Sequence, residues 1–227
     1  MNTVPLKLAV LDCDGTIVDS KSAIVTSMTA AFVNVDLAPP KPEEIVRIVG
    51  LNLADAMDVL LQGQKPEKVP TLVDAYREVA TQHRAGGQWE NPLYPDAKEV
   101  IQALNASGWL LGVATGKSKR GLDAVFDTHE IGHHFVTVQT SDIGPGKPAP
   151  DMLYRALRET GVEARNTVMI GDTTFDMEMA VNAGVSAIGV SWGYHTDRDL
   201  LAAGARVIVH GFQDLPGVLE STIGART

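Results

Sequence analysis

Leu6-Lys7-Leu8-Ala9-Val10-Leu11-Asp12-Cys13-Asp14-Gly15-Thr16 is the stretch whose reading decides the fold of this chain. Its near-continuous apolar run, stopped by polar and glycine residues, has the pattern of a strand buried on both faces of a parallel sheet. Ligands of open α/β sheets lie just beyond the carboxyl ends of the strands. Asp12 and Asp14 therefore stand where chemistry is expected. At ~4 Å and an effective dielectric of ~20, two such carboxylates repel by about 4 kcal/mol. That repulsion calls for a proton on one acid or a cation between them. The plain alternative is an Asx turn, with one Asp bonding the amides that follow it.

Working outward, residues 20–84 read as helical. Ile24, Met28, Ala31, Phe32 and Val35 recur at helical spacing, as do Leu53, Ala54, Met57, Leu60 and Leu61, and then Val69, Leu72, Val73, Tyr76 and Ala80. Pro39-Pro40 and the 63–66 stretch break the block, and Asp19 is placed to cap its first helix. Past Gly86-Gly87 and Pro92, strand and helix alternate. Strands are predicted over 110–114, 135–140, 167–170, 187–190 and 206–209. Helices are predicted over 96–106, opened by an Asp96/Glu99 capping box, and over 119–131. Two more are predicted over 151–160, capped by Asp151, and over 175–183, stopped by Gly184. The simplest account is an α/β fold: a doubly wound, Rossmann-like parallel sheet with an α-helical cap inserted after the first strand. Residues 1–18 and 90–227 form the core and 19–89 the cap, with hinges at 18–20 and 85–93.

Four strand ends carry polar signatures: Asp12 with Asp14, Thr115-Gly116, Lys147 on the loop Gly146-Lys147-Pro148, and Gly171-Asp172-Thr173-Thr174-Phe175-Asp176. A parallel sheet brings such ends to one edge. The combined set can hold a metal and a phosphoryl group together. These four motifs, in this order, resemble those of the haloacid dehalogenase superfamily, and the likeness covers nearly the whole chain. The resemblance implies a Mg²⁺-dependent phosphatase in which Asp12 is the nucleophile and Asp14 the general acid and base. It implies phosphate binding by Thr115, Gly116 and Lys147, and a metal held by Asp12, the backbone carbonyl of Asp14, and Asp172. Asp176 would support metal-bound water or Lys147 from behind. Within the superfamily, Ile48–Asp55 and Ser191-Trp192-Gly193-Tyr194 are similar to phosphoglycolate phosphatases. The turn Gly50-Leu51-Asn52 is expected to close over the pocket and contact the leaving group, with Arg47, Lys117 and Arg120 as candidate partners for a carboxylate. The alternatives are a β-phosphoglucomutase-like isomerase and a non-catalytic phosphate-binding regulator.

Composition narrows the partners. Nineteen basic against 28 acidic residues give a net charge of −9 with no block of like charge, which disfavours nucleic acid and anionic membranes. The expected partner is a small phosphorylated metabolite, while the oligomeric state is not readable. A single cysteine, no signal-peptide pattern and no long apolar run point to a cytoplasmic protein. Cys13 lacks an arginine at phosphate-loop spacing and is read as a small apolar packer. His129-Glu130-Ile131-Gly132-His133 matches a zinc signature, but Gly132 should end the helix and turn His133 away. Gly112–Ser118 is one residue short of a Walker loop.

Overall fold

The computed structural model describes residues 5–86 and 91–224. The elements run β1 (Leu8–Leu11), α1 (Lys21–Asn34), α2 (Pro42–Arg47), α3 (Leu53–Leu60), α4 (Val69–Ala85), α5 (Ala97–Ala106), β2 (Leu110–Ala114) and α6 (Lys119–His129). They continue β3 (Phe135–Gln139), α7 (Asp151–Thr160), β4 (Thr167–Gly171), α8 (Thr174–Ala183), β5 (Ser186–Val190), α9 (Asp197–Ala202), β6 (Val207–Val209) and α10 (Leu215–Gly224). Among the described residues, no helix is long and apolar enough to cross a membrane.

All strand pairings are parallel, in the order β3-β2-β1-β4-β5-β6. The chain reverses its direction of travel between β1 and β4, so a crevice is expected at their carboxyl ends. Leu11 lies level with Val113 on one side and Ile170 on the other, and the Asp12 amide donates to Ile170 O at 2.9 Å. Strand alternation splits the core. Ala9 and Leu11 pack into a cluster with Ile101, Leu122 and Leu219, while Leu8 and Val10 pack with Met152, Met177 and Ala180 on the opposite face. Every β1 side chain is fully buried, so truncating Leu11 to Ala would cost about 2–5 kcal/mol.

Helices α1–α4 carry a third cluster, built on Met28, Phe32, Ile45, Met57 and Leu72. This block follows β1 and precedes α5, as the apolar spacing of 20–84 suggests. The expected hinge at 85–93 falls partly outside the described residues.

Several local readings differ from expectation. β1 starts at Leu8, and Leu6 is exposed ahead of it. Asp96 sits in the left-handed region (φ 63°) and makes no side-chain cap, so the Asp96/Glu99 box does not form. Asp151 is the first helical residue, with Pro150 before it, and caps nothing. Asp19 does bond the helix start, accepting from Lys21 N at 3.2 Å. Glu130, not Gly132, takes the left-handed position that ends α6. His133 lies in the turn beyond that end, and His129 Nε2 is 2.8 Å from Asn91 O, so the two histidines share no helix face.

Candidate active site

Asp12 leaves β1 straight into the crevice and is 1% exposed. Its Oδ1 lies 2.8 Å from Lys147 Nζ, and the same ammonium lies 2.6 Å from Asp176 Oδ1. Lys147 is itself completely buried. The other oxygen of Asp176 accepts from Thr173 N and Thr173 Oγ1 at 3.0 and 2.7 Å, closing a capping box at the start of α8. Asp176 thus starts a helix and holds a lysine at once.

Asp172, at the end of β4, accepts from Thr16 Oγ1 at 2.8 Å and from Tyr194 N at 2.9 Å. Two glycines box it in: a Cβ on Gly15 (φ +84°) or on Gly193 would collide with the Asp172 carboxylate. Thr115, ending β2, is buried and accepts from Lys117 N at 3.2 Å. Asp14 Oδ1 takes a hydrogen bond from Ser20 Oγ at 2.5 Å and an ion pair from Lys117 Nζ at 2.9 Å. Ser20 Oγ is in turn 3.0 Å from the Tyr194 hydroxyl.

The electrostatics follow from this crowding. Burial pushes the Asp12 carboxyl up to about 7; Lys147 pulls it back, while Asp176 and Asp14 push it further. Burial, then Asp12 and Asp176, push Asp172 well above the ordinary carboxylate range. For Lys147, burial disfavours the charge, but Asp12 and Asp176 outweigh it and raise the ammonium above an ordinary lysine. Burial and Asp14 raise the Cys13 thiol, which suits a packing residue better than a nucleophile.

A divalent cation fits this set. Asp12, Asp172 and Asp176 are all buried and each offers an oxygen within 4.8 Å of the others. One lysine cannot offset three acids, and Asp12 Oδ2 has no hydrogen-bond partner among the described residues. Hard carboxylate oxygens are the donors that Mg²⁺ takes.

The helical block closes over this floor. A Cβ on Gly116 would stand 2.6 Å from the carbonyl oxygens of Gly50 and Leu51, so only a bare Cα lets the α2–α3 turn lie here. Gly50 has φ +105° and packs on Thr173. Gly50 and Leu51 line the cavity over Asp12 and Asp14. Asn52 is not among the lining residues. Its Oδ1 accepts from Asp55 N at 2.9 Å and its Nδ2 donates to Asp55 Oδ2, so its amide is spent capping α3. Arg47 is likewise absent from the lining, and its carbonyl faces His195 Nε2 at 3.2 Å. Lys117 and Arg120 do line the cavity, joined by Tyr76, Arg77 and Arg84 of α4. The sequence places Tyr76 on an apolar helix stripe and marks none of these α4 residues as belonging to the site. Their signal is Tyr76, Ala80 and Arg84 at i, i+4 and i+8, a polar tail on an otherwise apolar stripe.

The chain is similar to known proteins along most of its length. Residues 9–190 match the sequence family described as haloacid dehalogenase-like hydrolase. A Dickeya dadantii protein called "Probable phosphatase IndB" is 32% identical over 95% of this chain and 94% of its own length. A phosphoglycolate phosphatase of Agrobacterium fabrum is 26% identical over 98% and 97%. The crystal structure of a hydrolase from Pseudomonas syringae superposes with a TM-score of 0.83 at 20% identity, covering 95% of this chain and 98% of that one; at that identity it speaks for the fold alone.

Proposed function

The chain belongs to the haloacid dehalogenase-like hydrolases, and we propose that it is a Mg²⁺-dependent phosphatase of small phosphate monoesters. The observation that carries this reading is Asp12: a buried carboxylate at the switch point, held on one oxygen by Lys147 and, among the described residues, left without a hydrogen bond on the other. The phosphatase names of the relatives support it.

Phosphoryl transfer asks a protein for positioning and charge neutralisation more than for bond-making. In this reading a carboxylate oxygen of Asp12 attacks phosphorus while the ester P–O bond breaks. Asp14 gives its proton to the departing oxygen, and an aspartyl phosphate is left on Asp12. Asp14 then takes a proton from the water that attacks phosphorus, and the Asp12–phosphorus bond breaks to release phosphate. Ser20 and Lys117 hold the Asp14 carboxyl in place for both steps. Thr115 Oγ1, the Gly116 amide and Lys147 receive the phosphoryl oxygens. Asp12, Asp172 and the Asp14 carbonyl would hold Mg²⁺, with Asp176 close behind. When bound, the ion supplies the positive charge that lets an anionic carboxylate meet an anionic phosphate. Helices α1–α4, acting as a cap over 19–89, enclose the leaving group and exclude bulk water.

The test is phosphate release from a panel of small monoesters, phosphoglycolate among them, in Mg²⁺ and in excess chelator, with Asp12→Asn alongside. Turnover that needs Mg²⁺ and falls by several decades in Asp12→Asn is expected. Full turnover in chelator, Asp12→Asn within tenfold of the parent, or isomerised product without free phosphate would each overturn it.

A further inference from the structure

Tyr194 is not among the residues lining the cavity, yet three parts of the site meet on it. Its amide donates to Asp172 Oδ2 at 2.9 Å, its ring packs against the apolar cluster of the helical block, and its hydroxyl lies 3.0 Å from Ser20 Oγ. Ser20 is fully buried. It has a single hydroxyl proton, which it donates to Asp14 Oδ1 at 2.5 Å. With that proton committed, Ser20 Oγ can only accept from the phenol. The chain of hydrogen bonds therefore runs one way, from Tyr194 to Ser20 to Asp14. Oδ1 is also paired with Lys117 Nζ at 2.9 Å. A hydroxyl and an ammonium thus both aim hydrogens at Oδ1, while Asp14 Oδ2 has no hydrogen bond or ion pair among the described residues. A proton on Oδ1 would break this pattern. Ser20 would have to turn its own hydrogen back toward Tyr194, whose O–H would lose the acceptor it has here, and an unmade bond of that kind is costly. Lys117 would at the same time lose the charge it pairs with.

We propose that the Tyr194 hydroxyl is a positioning group for the acid–base step: acting through Ser20, it keeps Asp14 Oδ1 an acceptor and so places the Asp14 proton on Oδ2. From Oδ2 the proton passes to the departing oxygen as the ester P–O bond breaks, and Asp14 is left a carboxylate. This rests on the phosphatase reading, and Tyr194 acts on the reacting atoms only through Asp14.

Tyr194→Phe deletes the hydroxyl and keeps the ring. The readout is kcat/KM, which reports the first phosphoryl transfer, on two esters. Benzyl phosphate releases an alcohol that needs a proton to leave, whereas 4-nitrophenyl phosphate releases a phenolate that does not. One hydrogen bond of this kind is worth about fivefold. Tyr194→Phe should therefore lower kcat/KM about fivefold on the benzyl ester and by less than about twofold on the nitrophenyl ester. Ser20→Ala should show the same selective loss. Adding Tyr194→Phe to it should cost nothing more, since the phenol has no other route to Asp14. Equal losses on both esters would make the hydroxyl merely structural and overturn the inference, as would an unchanged benzyl rate or a full second loss in the double variant. A parent that turns over the nitrophenyl ester alone overturns it too, because no acid is then being delivered. If the parent turns over neither ester, the phosphatase reading itself falls, and this inference with it.

Discussion

Replacing Gly116 by Ala tests whether contact between the helical block and the core is needed for turnover. The new Cβ would sit 2.6 Å from both the Gly50 and Leu51 carbonyl oxygens, where ordinary contact starts at 3.4 Å. The shortfall is 3.4 − 2.6 = 0.8 Å. Both obstacles are backbone, so no rotamer change relieves them, and the α2–α3 turn has to retreat by about that distance. Overpacking of this kind costs about 1–3 kcal/mol, or roughly 2–12 °C of melting temperature for a chain of this size. The chemical penalty should be larger, since a misplacement near 1 Å can cost about 100-fold in rate. Thermal melts and kcat/KM on one monoester measure the two effects separately. Gly217→Ala, where a Cβ meets nothing within 4 Å, serves as the control: it should leave kcat/KM unchanged and, as a glycine replaced inside α10, hold or slightly raise the melting temperature. A cooperatively folded Gly116→Ala with kcat/KM within threefold of the parent would refute the closure argument.

Asp14→Asn should slow hydrolysis of the intermediate more than its formation from an aryl phosphate, whose leaving group needs little acid help; quenched-reaction mass spectrometry should find phosphate on Asp12, and an unmodified Asp12 would contradict the two-step scheme. Lys147→Met removes a fully buried cation from two carboxylates, which should cost about 3–5 kcal/mol of stability and about 10²–10³ in kcat; a denaturant midpoint equal to the parent's would show the pair to be energetically idle. In chelator, Asp12→Asn should stabilise the protein progressively as pH rises. The folded parent binds a proton on Asp12 up to about pH 7 that the unfolded chain releases near 3.8, so the parent loses stability over that window and the amide does not. Unfolding curves of both proteins between pH 4 and 8 check this, and a gain independent of pH would contradict it.

The strand ends were legible because two cues coincide there: an apolar run that only a buried parallel strand explains, and Asp, Thr or Gly where it stops. Register then follows from topology, so Asp12, Thr115 and Asp172 meet without any further signal. The reading weakened where one pattern serves two purposes. Asp176 shows both, capping α8 and clamping Lys147, and spacing alone cannot separate them. Asn52 has the look of a recognition amide but is a helix cap, because Asp55 stands three residues on. Asp96 and Glu99 have the right spacing, yet the left-handed backbone at Asp96 aims the side chain elsewhere. Tyr76 and Arg84 were not legible as cavity residues because they reach the cavity through the rotation of α4 about its axis, which tertiary packing sets and local sequence does not.

The two glycines around Asp172 bear on how this protein can be recombined with its relatives. Gly15 belongs to the loop after β1 and Gly193 to the loop after β5, and each keeps open the space the Asp172 carboxylate occupies. The three positions behave as one mechanical part, although the chain separates them widely. A chimera that imports a new segment after β5 to alter specificity has to bring a glycine at 193 with it, whatever else it changes. Crossover points are therefore safest beyond Tyr194, whose amide completes the Asp172 environment. Upstream of that seam, a swap chosen for the ligand would be felt first by the acid at the end of β4.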